Sequence, residues 1–149
     1  MAAVGAVNVF RSPWNGYQPP EVRAYSSAGP TPILFDSDGN HLEPPAARDQ
    51  PQFMGPDGVA TTFFELLKPI GVWRFPGTST AALHIAAVAA LMLEYNRTLS
   101  RDEIYAVLDA TAVGMSVPGF DNTTGYGFVD ALRALTYVEM GGNPENSTR

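Results

Sequence analysis

The sequence has no cysteine and only two histidines, His41 and His84. Without thiols there is no disulfide, no thiolate metal site and no cysteine nucleophile, and nothing marks the redox compartment. Two imidazoles leave little for the acid–base dyads and metal clusters that usually draw on histidine. Charge is also scarce: 16% of the 149 residues are Asp, Glu, Lys or Arg, and 9 bases against 15 acids give a net charge of -6 and a pI near 4.7. Such a balance offers no basic footprint, so no nucleic-acid partner is expected. The longest nearly apolar run, Ala81 to Leu93, is interrupted by His84. It is shorter than the roughly 18 residues that argue for a membrane-spanning helix, so no membrane partner is expected either. The first residues, Met1 to Val9, lack the basic start and apolar stretch of a secretory signal and read as a strand.

What remains suffices for one core, with 45% of residues hydrophobic. Ala2 to Phe10, small and β-branched, predicts a short buried strand. From Arg11 to Gly58 the breakers Pro19-Pro20, Gly29-Pro30, Pro44-Pro45 and Gly55-Pro56-Asp57-Gly58 exclude a long helix. Extended pieces are expected at Tyr25 to Ser27, Thr31 to Phe35, Gln52 to Met54 and Val59 to Phe64, with a turn at Asp36 to Asn40. Beyond Phe75-Pro76-Gly77 the character changes. Ser79 to Tyr95 has no Pro or Gly and is apolar on nearly every face, which predicts a helix buried all round. Ser100-Arg101-Asp102-Glu103 spells a capping box ahead of a helix to about Ala110, with Ile104, Val107 and Leu108 on its apolar face. Val113 to Gly127 reads as loop, Phe128 to Val138 as a last helix, and the rest as a polar, frayed tail.

Ser79 sits where that apolar helix begins, among unpaired N–H groups that favour negative charge. A serine there serves either as a helix cap or as a nucleophile whose own N–H stabilises an oxyanion. The run Phe75-Pro-Gly-Thr-Ser-Thr-Ala-Ala-Leu-His-Ile-Ala-Ala-Val-Ala-Ala-Leu91 resembles the G-T-S-x-A-x-P-H-x-A-x-V segment of the subtilisin-like serine proteases, the subtilases. Other stretches stand in the family's order. Ala6-Val7-Asn8-Val9 resembles one of its strands, Tyr25-Ser-Ser-Ala-Gly-Pro30 its F-S-S-R-G-P, and Gln50 to Gly58 its K-P-D-I-x-A-P-D-G. Gly119 to Gly127 with Asp130-Ala131 is similar to its closing G-x-G-x-x-D-A. The resemblance covers Ala3 to Leu135. It implies an α/β fold: the C-terminal half of a three-layer domain, with a mostly parallel sheet and a buried central helix. It further implies peptide-bond hydrolysis through an acyl-enzyme with Ser79 as nucleophile.

The family's Asp and His segments precede this region and have no counterpart here, and Asn8 does not match its oxyanion asparagine. Neither histidine is expected to replace the base. Five residues along a helix put His84 about 7.5 Å up and roughly 140° round from Ser79, whereas a base must come within about 3 Å; His41 reads as a surface-loop residue. An α/β-hydrolase alternative needs a histidine after the serine and its acid, and none follows His84. Leu83 replaces the family's proline, which would restore a backbone donor in the first helical turn, and Ala28 and Gln52 replace an Arg and an Asp. Asp57, Asp121 and Asp130 lack calcium-loop spacing, Asp36 to Asn40 reads as an ordinary turn, and the sequons at Asn96, Asn122 and Asn146 occur readily by chance. No metal, cofactor or glycan is assigned.

These readings predict residues 1–138 to be part of a subtilase catalytic domain and 139–149 a tail. Activity then requires an N-terminal half, with a peptide or protein as substrate. Two alternatives stay open: a non-catalytic subtilase-like binding module, and an unrelated α/β binding domain with a capping serine. Secretion is compatible with the resemblance, although this chain carries no signal peptide.

Overall fold

The computed structural model describes residues 2–62, 64–67 and 71–142, the side chains of Glu65 and Leu67 aside. The parallel centre is β1 (Val4–Asn8) beside β4 (Phe53–Asp57), in register from Val4 opposite Phe53 to Asn8 opposite Asp57. It is widened on both sides by single bridges, Val22 on Val7 and Phe128 on Met54, with Val113 beyond Phe128. Two antiparallel sheets lie outside this centre. One is the ribbon of β2 (Thr31–Phe35) and β3 (His41–Arg48), and the other has the order β5 (Val59–Thr61), β7 (Val72–Phe75), β6 (Glu65–Leu67).

Three helices cover one face: α1 (Thr78–Tyr95), α2 (Arg101–Thr111) and α3 (Ala131–Glu139). β4 is buried throughout, and its period of two explains how it meets α1. Phe53 joins Ile85, Val88 and Met92 in the main core with Ile104, Val107, Leu108, Val129 and Ala134, whereas Met54 faces the other way onto Val7 and Phe128. Gly55 again faces α1, and a Cβ there would lie 2.8 Å from the carbonyl oxygen of Ala81. Asp57, the next residue on that face, reaches Gly77 just ahead of the helix.

Several elements depart from the sequence expectations. The first strand is shorter than Ala2 to Phe10, because Asn8 caps a 3-10 turn over Val9–Arg11 by accepting from Phe10 N. Tyr25 to Ser27 forms no strand: Tyr25 and Ser26 lie in a turn closed by Ser26 N donating to Arg23 O. β3 was hidden by Pro44-Pro45. Prolines are tolerated there because the ribbon has only edge strands, and its register shifts between Ile33 and Phe35. The strand expected at Val59 to Phe64 ends at Thr61, with Phe63 outside the described residues. α3 starts at Ala131 and not Phe128, because Asp130 caps it through Arg133 N, while Phe128 is committed to Val113 and Met54. Residues 143–149, and with them most of the expected tail and the Asn146 sequon, lie outside the described residues.

α1 lies centrally on the sheet, yet burial all round is not reached. Thr80, Ala81, Ile85, Val88 and Met92 are buried along one face, while Leu83, Leu91 and Leu93 are 61%, 47% and 37% exposed on the other. Its 18 residues with a mean hydropathy of 1.3 are long and apolar enough to cross a membrane by length and composition, although the packing of a core helix accounts for the same pattern.

Candidate functional site

Ser79 is the second residue of α1, and the helix is capped by the backbone of Gly77, with φ 127° and ψ 154°, a conformation open to glycine alone. The capping role considered for Ser79 is therefore taken by its neighbour. The Ser79 hydroxyl is exposed and has no hydrogen-bond partner among the described residues. Gly77 O accepts from Thr80 N and Ala81 N, which leaves the N–H groups of Thr78 and Ser79 without a protein acceptor among those residues. An exposed serine oxygen beside two N–H groups at the positive end of a helix is an arrangement that favours negative charge, while no base is hydrogen-bonded to the hydroxyl among the described residues.

The start of α1 is held from below. Asp57 is fully buried; its Oδ1 accepts from Gly77 N, while Oδ2 accepts from Arg23 Nε and, at 2.7 Å, from the Tyr25 hydroxyl. Burial, with the hydrogen bond to Asp57 second, pushes the Tyr25 hydroxyl above its ordinary pKa. Burial alone would lower Arg23, but the hydrogen bond and charge of Asp57 outweigh it and raise the guanidinium. Arg23 also lies 3.9 Å from Glu21, which pairs with Arg11 at 2.5 Å. Beside Thr78 a cavity of about 200 Å³ opens between Tyr25, Ser26, Gly29, Gln50 and Val4.

The histidines are placed elsewhere. His84 Nδ1 is 2.8 Å from Thr80 O on the same helix, so it is engaged structurally. His41 is not in a loop but opens β3; it is exposed, edge-on to Phe35, with Nδ1 3.5 Å from Glu43. Neither is hydrogen-bonded to Ser79. Leu83, the sixth residue of α1, lies past the four N–H groups that a helix start leaves free, so its N–H belongs to the regular i→i−4 ladder and not to the first turn.

The three acids singled out for calcium act as local acceptors or in the Asp57 network. Asp121 accepts from Thr123 N and Thr124 N at 2.8 Å each and from the Thr124 hydroxyl. Burial is the largest single influence on it and opposes ionisation, but these donors together hold its pKa below the ordinary value. Asp36 accepts from Asp38 N and Asn40 N in its turn, as expected. Among the described residues no three His, Cys, Asp or Glu side chains converge as metal ligands.

The subtilase family model matches residues 3–127. The chain belongs to the subtilase family. It is 39% identical over 64 residues to an extracellular serine protease of Serratia marcescens, covering 43% of this chain and 6% of that protein. It is 39% identical over 69 residues to bacillopeptidase F of Bacillus subtilis (strain 168), covering 44% and 5%. Among solved structures, fervidolysin from Fervidobacterium pennivorans, a keratinolytic enzyme related to subtilisin, aligns over 91% of this chain and 19% of its own with a TM-score of 0.55 and 22% identity, a likeness of fold. The subtilase chain thus matches only a small part of each relative's length. Family membership and the named relatives support serine-protease chemistry.

Proposed function

We propose that this chain supplies the nucleophile, Ser79, of a subtilase endopeptidase, and that it is inactive until an N-terminal half supplies the general base and its orienting acid. The observation that carries the reading is the exposed hydroxyl of Ser79, without a hydrogen-bond partner among the described residues, beside the Thr78 and Ser79 N–H groups that lack an acceptor among those residues, at a glycine-capped helix start. In that role Ser79 Oγ attacks the scissile carbonyl carbon while the supplied base takes its proton, and the Ser79 N–H donates to the oxyanion. As the tetrahedral species collapses, the supplied base returns that proton to the leaving amine, the C–N bond breaks, and an acyl-enzyme remains for water to hydrolyse. The substrate is a peptide or protein. Secretion fits the extracellular relative, and the net charge of -6 disfavours nucleic acid.

A second reading, a non-catalytic subtilase-like binding module, draws support from Leu83 and Ala28, which stand where the family pattern has Pro and Arg. One experiment separates the two. The 149-residue chain is treated with a fluorophosphonate probe alone and after co-expression with the N-terminal half of a subtilase catalytic domain. Alone, labelling is expected at the rate of a free serine. In the assembly, labelling and peptide hydrolysis are expected, and both should vanish in Ser79→Ala. Fast labelling of the isolated chain would overturn the need for a second half. Activity that survives Ser79→Ala would overturn the nucleophile, and a folded assembly that neither labels nor cleaves would establish the binding module.

A further inference from the structure

We propose that Asp57 is the positioning residue for Ser79: a buried carboxylate that fixes where α1 begins by holding Gly77 N–H, and that is itself held by Arg23 and Tyr25. The proposal rests on the nucleophile reading above and concerns residues that take no part in the reaction steps.

A helix start is ordinarily the least constrained part of a helix, because its first N–H groups have no intrahelical partner. Here one of those groups is used as a tether. Gly77 N donates to Asp57 Oδ1, two residues ahead of Ser79. The tether is rigid because its other end is the last residue of β4, opposite Asn8 in the parallel register and with no exposed surface. It is also one of two fixed points. One strand repeat earlier on the same face, Gly55 approaches so closely that an added Cβ would lie 2.8 Å from Ala81 O. Contact at Ala81 sets the distance between helix and strand, and the bond at Gly77 sets where the first turn begins. Ser79 lies between them.

The rest of the network keeps the carboxylate in one orientation. Oδ2 is shared by Arg23 Nε and the Tyr25 hydroxyl, so rotation of the carboxylate breaks three bonds at once. Arg23 and Tyr25 come from the segment that covers the outer edge of β1, where Arg23 N donates to Ala6 O and Ser26 Oγ accepts from Ala6 N. One buried acid therefore joins the covering segment, the central strand and the nucleophile's helix. Arg23 also neutralises a charge that would otherwise be buried alone.

The test uses the assembled enzyme, with kcat and KM for a peptide substrate and backbone amide exchange at Gly77 and Val88. Asp57→Ala should lower kcat about 100-fold, the scale of a misplacement near 1 Å, with KM unchanged within about twofold. Asp57→Asn keeps an acceptor for Gly77 N–H but sets its amide nitrogen against Arg23 Nε–H, and should recover part of that loss. Gly77 exchange should quicken about tenfold or more in Asp57→Ala, while Val88 in mid-helix stays protected. Arg23→Met/Asp57→Leu replaces the ion pair by apolar volume and tests the same loss in a protein that need not bury a lone charge. Its kcat should fall as in Asp57→Ala. Folded Asp57→Ala or double-variant enzyme with wild-type kcat would overturn the proposal. So would equal losses for Asn and Ala that merely track thermal stability. If Ser79→Ala leaves activity intact, the nucleophile reading fails separately, and the tether is then decided by exchange: loss confined to Gly77 upholds it and unchanged exchange overturns it.

Discussion

Replacing Gly55 with alanine tests the close packing of α1 on β4 by a single methyl group. An ideal Cβ at Gly55 would stand 2.8 Å from the Ala81 carbonyl oxygen and 3.2 Å from its carbonyl carbon and Cα. A relaxed C···O contact is about 3.3 Å or more, so the methyl group is short of space by roughly half an ångström. The obstacle is helix backbone, which has no rotamer to escape into. Strand and helix must separate, and overpacking of this kind costs about 1–3 kcal/mol. Against this, alanine stiffens the unfolded chain and returns about 0.4–1 kcal/mol, leaving a net loss between about 0 and 2.6 kcal/mol, centred on about 1.3 kcal/mol. Gly114 supplies the control: a Cβ there meets nothing within 4 Å, and its φ is not in the positive region. Gly114→Ala should therefore be neutral or stabilising by about 0.4–1 kcal/mol. Urea unfolding followed by tryptophan fluorescence reads both variants, with Trp14 packed edge-on against Phe128 at 4.9 Å as one reporter. Opposite signs are expected. Gly55→Ala at least as stable as Gly114→Ala would refute the close approach, and with it one of the two points that locate Ser79.

Two further outcomes follow from local hydrogen bonding. Ser100→Ala removes the Oγ that accepts from Glu103 N and donates to Glu103 Oε2, leaving only the backbone half of the capping box, and should cost about 1 kcal/mol in the same unfolding assay; an unchanged midpoint would contradict it. Asp121 has its folded pKa held below the ordinary 3.8, so its contribution is present above that value and is lost as the pH falls through 3.8 toward the lower folded pKa. Amide exchange at Thr123 and Thr124 should accelerate over that range beyond the intrinsic trend, and should lose this pH dependence in Asp121→Ala. An identical profile in both proteins would show that the carboxylate does not hold the loop.

Legibility in the sequence followed the range of the interaction. The capping box could be read because Ser100 and Glu103 are three residues apart, and the structure realises both of its bonds. The helix at Ser79 could be read because seventeen successive residues avoid Pro and Gly, and it is observed over Thr78–Tyr95. β3 could not, since Pro44-Pro45 signals an interruption and only the pairing with β2 shows that an irregular edge accommodates it. Asp57 was noticed as an acid in a motif, but its function in the fold was invisible: its partners Arg23, Tyr25 and Gly77 are 34, 32 and 20 residues away. No local spacing connects them. Family resemblance, by contrast, drew attention to Ser79 without saying what holds it.

The electrostatics of that holding differ from a simple anion-binding helix start. A helix N-terminus offers positive potential, and a carboxylate placed there normally uses it up. Asp57 occupies the outermost donor, Gly77 N–H, yet its charge is answered by Arg23 on the opposite oxygen, with Tyr25 adding a neutral donor. The acid thus gains an orienting bond without leaving a bare negative charge beside the remaining donors. Among the described residues Thr78 and Ser79 N–H have no acceptor, and Ser79 N–H is the group that donates to the oxyanion in the proposed reaction. Geometry and charge then impose one joint requirement on this corner of the fold: the acid must be present to place the serine, and the arginine must be present for that acid to do so without opposing the anion that the serine would create.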